Sequence, residues 1–187
     1  LAERIQVGLL NVLEERDIQI RGHRVRLPLD IMLVASANPD DYTNRGRIIT
    51  PLKDRFGSQI RTHYPLEVDL EYLIMKQEAT TTSVGGVTVE VPDYLGLVVA
   101  EFSHLARASS HVNQRSGVSV RLSVANYESL AANALRRGLR AGENPVVARV
   151  DDLDALAASS IGKIEIESMD DGREGQIFDN LIKGAVH

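Results

Sequence analysis

The sequence of 187 residues contains no cysteine and no tryptophan, and aromatic residues make up only 4% of it. The absence of cysteine excludes disulfide bonds, cysteine-ligated zinc and thiol catalysis. No apolar run approaches the ~18 residues that a membrane-spanning helix needs, and no signal peptide is recognisable. The net charge of −5 does not indicate a general affinity for nucleic acid. We therefore expect a cytoplasmic protein whose core consists of aliphatic side chains.

Several catalytic and metal-binding motifs are also absent. No GxxxxGK[ST] phosphate-binding loop occurs in the sequence. The five histidines are scattered and form no HExxH pattern, so we expect no metal site. No GxSxG motif supports a serine hydrolase. The sequence begins at Leu1 inside a predicted helix, without a methionine or a cap, and we expect it to be a fragment.

The most informative stretch is 31–57, IMLVASANPDDYTNRGRIITPLKDRFG. Its first five residues, 31–35, are all apolar and are followed by polar residues. This pattern predicts a short central strand of a parallel sheet that helices cover on both faces. Ligands bind beyond the carboxyl ends of such strands, which places Asn38 where chemistry would occur.

The second part of this stretch predicts a short helix. Thr50 can cap a helix whose first residue is Pro51. Such a helix would fix the direction in which Asp54 and Arg55 project. An asparagine at a strand tip and an arginine fixed a short distance later suggest a phosphate site.

Residues 16–27 alternate with a period of two and predict a β-hairpin. A type II′ turn at Gly22-His23 would place its apolar residues on one face. It would also place Arg21 opposite Arg24, with Arg26 on the same face, and like charges in such positions are destabilising. Two interpretations explain this pattern equally well. The basic face contacts an acidic partner, nucleic acid or a neighbouring subunit, or it is a solvated hairpin tip.

Helical periodicity predicts an amphipathic helix at 1–15, and most of the chain beyond 65 is expected to be helical. Further strands are predicted at 60–64 and 163–167. We place the domain boundary near 65 and 66. Five later helices are expected: at 69–79, from Pro92, after Ser119 to Ala141, at 151–161 and from Arg173. The helix at 69–79 has Leu70, Leu73, Ile74 and Gln77 on one face.

Arg121 is expected in the first turn of the helix that Ser119 caps. At this end the helix dipole disfavours a cation unless an anion is also present. An ordinary exposed arginine explains its position equally well.

Three stretches together resemble the AAA+ ATPases of the magnesium chelatase I-subunit and MoxR type. LLNVLEERDIQIRGHRVRLP (9–28) resembles the helix after the Walker B strand and the hairpin that follows it. IMLVASANP (31–39) resembles the sensor 1 strand and PLKDRFG (51–57) the arginine-finger segment. RSGVSVRLS (115–123) resembles the sensor 2 region more loosely. The Walker A and Walker B elements of this family are missing from the sequence.

The resemblance implies a fold and a site. Residues 1–65 would be the C-terminal part of an AAA+ α/β nucleotide-binding domain with a hairpin, and 66–187 a mostly α-helical lid domain. ATP and Mg²⁺ would be cofactors of the parent protein, and neither is expected to bind tightly to this chain. Asn38 would orient the attacking water, Arg55 would reach a neighbour's γ-phosphate and Arg121 the phosphate of its own subunit. Asp54 would position Arg55 or pair across the interface.

The resemblance also implies partners. The parent would form a homo-oligomeric ring, expected to be a hexamer, with a partner subunit of chelatase or von Willebrand A-domain type. It would couple ATP hydrolysis to remodelling or to metal insertion by that partner. Two alternatives remain open. One is a protein that acts on DNA through Arg21, Arg24 and Arg26, although we expect no nucleic-acid partner. The other is a non-catalytic interaction module.

Overall fold

The structure is a computed structural model that describes residues 2–15, 17–26, 32–37, 48–80, 83–113, 117–166 and 174–187. The chain is mixed α/β and mostly helical. It divides into two compact units, Leu1–Thr62 and His63–His187. The predicted boundary at 65 and 66 lies close to this division. No helix in the described segments has the length and apolar character that crossing a membrane requires.

The first unit contains two helices and a hairpin. Helix α1 is Glu3–Glu14, strand β1 is Asp17–Ile20, strand β2 is His23–Arg26 and the short helix α2 is Thr50–Lys53. The predicted first helix is confirmed, but its most buried side chain is Gln6, not an apolar residue. The Gln6 Oε1 atom accepts the Ile49 N–H at 2.9 Å, which ties α1 to the residue before α2.

The hairpin is confirmed, but the predicted register is wrong. The observed pairs are Ile18 with Val25 and Ile20 with His23, so the two-residue turn is Arg21-Gly22 rather than Gly22-His23. Both turn residues have positive φ, 50° and 82°, as in a type I′ turn. A type I′ turn matches the right-handed twist of the strands. This match outweighs the conformational cost of an arginine with a positive φ. The predicted Arg21–Arg24 pair is therefore absent.

The predicted buried strand at 31–35 is wrong for the residues that are described. Residues 32–37 form no strand, and Met32 and Val34 are 89% and 78% exposed. The predicted strand at 60–64 is absent as well, and Ile60 is 90% exposed. A strand persists only when a neighbour satisfies its backbone groups, and none of the described strands pairs with either run. A parallel sheet around 31–35 therefore has no support.

The second unit is an assembly of helices with one small strand pair. Its elements are α3 (Val68–Glu78), β3 (Val89–Glu90), α4 (Asp93–Ala108), α5 (Val120–Ala141), β4 (Val146–Val147), a 3-10 helix (Val150–Asp154), α6 (Ala155–Ser160) and α7 (Glu174–Val186). β3 and β4 pair in parallel. The predicted helices are confirmed in order, and Gly142 ends α5 with a left-handed φ of 70°. At 163–166 only isolated bridges replace the predicted strand.

The core of the second unit lies where α4 and α5 meet α3, α6 and α7. Leu95, Phe102, Leu130 and Phe178 are fully buried or nearly so, and the two phenylalanine rings stack with centroids 6.4 Å apart. The apolar face of α4, which includes Leu95, Val99, Phe102 and Ala106, is buried.

The predicted face of α3 is wrong. Leu70 and Leu73 are 47% and 62% exposed, while Glu71, Tyr72 and Met75 are buried. The helix is turned so that the Glu71 carboxylate reaches polar partners on α4 and α5.

Candidate functional site

The proposed finger residue, Arg55, follows directly from the short helix α2. This helix begins at Thr50 with Ile49 as its N-cap, so the predicted capping role of Thr50 is wrong by one residue. Pro51 stands at the start of the helix, where its missing N–H costs nothing. The Arg55 Nη1 atom donates to the Pro51 carbonyl oxygen at 2.7 Å, which folds the side chain back on its own helix.

Arg55 also binds a carboxylate of its own unit. Its Nη2 atom lies 2.5 Å from Glu14 Oε1, and the hydrogen bond to Glu14 raises the pKa of Arg55. The Nε atom is buried without a hydrogen-bond partner. Asp54 is exposed and acts on Arg55 through its charge alone. The guanidinium is thus partly buried, with one Nη atom bound to the Pro51 carbonyl and the other to Glu14.

One of the three arginines of the basic hairpin face, Arg24, is paired with carboxylates. Arg24 Nε lies 2.7 Å from the Asp17 carboxylate, whose side chain is buried, and Arg24 Nη2 lies 3.4 Å from Glu15. Arg26 stands opposite Asp17 in the register, and Arg21 occupies the turn. Arg24 is therefore less available to a phosphate, because phosphate contacts need cations that are not already paired. Arg21 and Arg26 are exposed.

The C-terminal end of α1 brings two of the predicted site residues together. The neighbouring carboxylates of Glu14 and Glu15 bind Arg55 and Arg24 respectively. Cations are favourable at this end of a helix, where the unpaired carbonyl groups carry partial negative charge. Asn38, the proposed sensor 1 residue, lies outside the described residues.

Arg121 stands in the second unit, at the start of α5. The predicted N-cap is confirmed, since the Ser119 hydroxyl accepts the Arg121 N–H at 3.2 Å. The Arg121 side chain is exposed, and its guanidinium has no ion-pair partner within the described parts of the chain. Arg55 and Arg121 therefore belong to different units and have opposite surroundings, one held by a carboxylate and the other open to solvent.

A buried polar cluster in the second unit was not predicted. The Glu71 side chain is fully buried, and both of its oxygens accept hydrogen bonds from Arg107 Nη atoms at 2.6 Å. The Ser123 hydroxyl donates to Glu71 and lies 2.9 Å from the Ser103 hydroxyl. His104 Nε2 lies 2.8 Å from Glu71, but the contact is not aligned for a hydrogen bond. We call Glu71, Ser103, His104, Arg107 and Ser123 the Glu71 cluster.

No protein-family model, no curated protein and no solved structure matches this chain. The function must therefore be argued from the residues themselves.

An open groove of about 740 Å³ is lined mostly by residues of α5. Ala131, Leu135 and Leu139 line it, with Arg136 and Arg140 among the polar residues. None of the predicted site residues contributes to it. The groove therefore does not bear on the proposed chemistry.

The described residues fit a nucleotide only in part. Arg55 and Arg121 are cations of the kind that bind phosphate oxygens. Within the described segments, no group of three or more histidine, aspartate or glutamate side chains could hold a metal ion. Each of the two arginines could therefore contact a phosphate oxygen.

Proposed function

We propose that this chain forms the sensor, arginine-finger and lid portion of a ring-forming AAA+ ATPase of the magnesium chelatase I-subunit and MoxR type. The phosphate-binding loop would come from residues outside this sequence, since no GxxxxGK[ST] occurs within it. The parent would bind ATP and Mg²⁺ and couple hydrolysis to remodelling or to metal insertion by a partner subunit. The segments 31–39 and 51–57, in that order, are the sequence basis of the proposal.

The observation that carries the proposal is the engagement of Arg55 by Glu14. A guanidinium binds carboxylate and phosphate oxygens through the same planar set of donors. The contact with the Pro51 carbonyl keeps the guanidinium on its helix, while Glu14 occupies one Nη atom. A phosphate of a neighbouring subunit could replace the Glu14 carboxylate without moving the helix. An arginine supplied in this way stabilises the negative charge on a phosphoryl group during its transfer.

Asn38 and Arg121 take complementary roles in this proposal. Asn38 would orient the attacking water in its own subunit. Arg121 would contact a phosphate of the same subunit from the start of α5, where an anion is favoured by the helix dipole. Its open surroundings leave the guanidinium available for that contact.

The direct test substitutes the finger in the parent protein. Arg55→Ala should lower the rate of ATP hydrolysis by about 10³-fold or more while nucleotide affinity changes little, because a finger acts on the transition state. Arg4→Ala, an exposed arginine on α1, is the matched control and should hydrolyse ATP at the unaltered rate. Hydrolysis that survives Arg55→Ala would refute the finger assignment.

A second measurement addresses the chain alone. Titration with ATP in a calorimeter should show weak binding or none, because the chain contains no phosphate-binding loop. A dissociation constant in the micromolar range would overturn the proposal that the nucleotide-binding residues lie elsewhere.

A further inference from the structure

We propose that Glu71 is a positioning residue: through Arg107 and Ser123, its buried carboxylate sets the geometry of residues 117–122, which lead into the first turn of α5 and include Arg121. The role of Arg121 toward phosphate rests on the proposed function above. The positioning itself concerns this chain alone and can be tested without a nucleotide.

The Glu71 carboxylate is the centre of the arrangement. It is 0% exposed, and a charge buried to this degree is tolerated only when it is paired and hydrogen-bonded. Arg107 supplies a two-point ion pair from α4, and Ser123 supplies a hydroxyl from the first turns of α5. One carboxylate thus joins three helices.

Arg107 extends this arrangement to the segment before α5. While its two Nη atoms bind Glu71, its Nε atom donates to the Val118 carbonyl oxygen at 2.9 Å. The start of α5 is therefore tied to Glu71 at two places, at Val118 through Arg107 and at Ser123 directly. Arg121 lies between these two places in the sequence.

Tyr64 completes the support of this segment. The Arg107 guanidinium lies over the Tyr64 ring, 4.8 Å from its centroid, which is a favourable cation–π distance. Gly117 has a φ of 65°, and a Cβ atom added there would lie 2.5 Å from the Tyr64 hydroxyl oxygen. A side chain at position 117 would therefore strain the backbone and crowd the Tyr64 hydroxyl.

The geometry points to positioning in addition to stability. Apolar side chains of similar volume often replace a buried ion pair without loss of stability. They could not, however, hold the Val118 carbonyl, which requires a donor in a fixed direction. The arginine side chain can pair with the carboxylate and hold the carbonyl at once, because its Nη atoms bind Glu71 while its Nε atom donates to Val118.

The test is hydrogen exchange of single amides, followed by NMR on the full chain. The Arg121 and Leu122 amides donate to the Ser119 side chain and carbonyl, so they report directly on the start of α5. In Glu71→Gln we expect their exchange to accelerate about tenfold more than that of amides near Leu130. Arg107→Lys keeps the charge but lacks the fork, and it should give the same selective effect.

A matched control comes from the same helix. Asn126 is also fully buried on α5, and its Oδ1 atom accepts hydrogen bonds from Ser159 and Ser160. Asn126→Ala should lower the stability of the unit without a selective effect at 121 and 122. If Glu71→Gln does not fold, Ser123→Ala removes one of the two ties and should accelerate exchange at the same amides.

The outcomes separate the two proposals. Exchange that rises uniformly along α5, as in Asn126→Ala, or that stays unchanged at 121 and 122, would overturn the positioning role. Neither result depends on nucleotide. The finger assignment is therefore tested independently, by ATP hydrolysis in Arg55→Ala.

Discussion

Asp93 shows how one exposed carboxylate is held by its neighbours. The Tyr72 hydroxyl donates to Asp93 Oδ1 at 2.6 Å, and Lys76 Nζ lies 3.3 Å from the same oxygen. The hydrogen bond from Tyr72, followed by the contact with Lys76, lowers the pKa of Asp93 below its ordinary value of 3.8. Because ionised Asp93 is favoured in the folded chain, it stabilises the fold at neutral pH.

We expect Asp93→Asn to lower the midpoint of urea unfolding modestly at pH 7. A lowered folded-state pKa contributes stability above the unfolded-state value, and this contribution disappears as the pH falls through the folded-state value. The difference between Asp93→Asn and the original chain should therefore shrink when the measurement is repeated at a pH below the lowered pKa of Asp93. Glu90→Gln, at an exposed position, is the control. An equal difference at both pH values would contradict this account.

The residues of the candidate site were predictable only where a local signal marks them. Ser119 as a cap and Ala141 as the last residue of its helix follow from neighbours a few residues away, and both are confirmed. Glu71 carries no such signal, because its partners Arg107 and Ser123 lie 36 and 52 residues later. The sequence pattern of α3 instead favoured Leu70 and Leu73 as buried residues. A buried ion pair that turns a helix leaves no trace in apolar periodicity.

The same distinction holds for whole elements. Helices make their hydrogen bonds within one segment, and those of the second unit were predicted in the right order. Strands depend on partners elsewhere in the sequence, and the described residues 32–35 and 60–64 were wrongly predicted as strands. In the hairpin, the partner is near but the turn had two possible positions. Glycine occurs in both, so composition alone did not decide between them.

The contact of α5 with β4 leads to a prediction about helix packing. A Cβ atom added at Gly138 would lie well under 3.0 Å from Val146 Cγ2, and Val146 is fully buried. Gly138→Ala should therefore lower the free energy of unfolding by about 1–3 kcal/mol, as overpacking of a core does. Gly175→Ala on α7, where a Cβ meets nothing within 4 Å, should leave it unchanged or raise it by up to about 1 kcal/mol.

Chemical denaturation of the two alanine variants measures both effects. If Gly138→Ala is as stable as Gly175→Ala, the close approach of α5 to β4 is incorrect. A loss confined to Gly138→Ala would support it, since both substitutions make the same gain in helix propensity.

Across the whole molecule, the buried apolar residues are distributed unevenly. The hydrophobic cluster lies entirely within the second unit, from Tyr72 to Ala185. In the described part of the first unit, Leu52 is the single buried apolar residue, beside the polar Gln6 and Asp17. Met32 and Ile60 are about nine-tenths exposed there. Within the described residues, the first unit therefore buries little apolar surface of its own.

We therefore expect the two units to differ in independent stability. Residues 63–187 expressed alone should unfold cooperatively on heating, with a midpoint within a few degrees of the full chain, because their core is complete within the unit. Residues 1–62 alone should show no cooperative transition, since so small a unit needs a well-buried core to be stable. Circular dichroism on the two fragments measures both. A cooperative transition in 1–62, or none in 63–187, would mean that the stability of the chain is not concentrated in its helical unit.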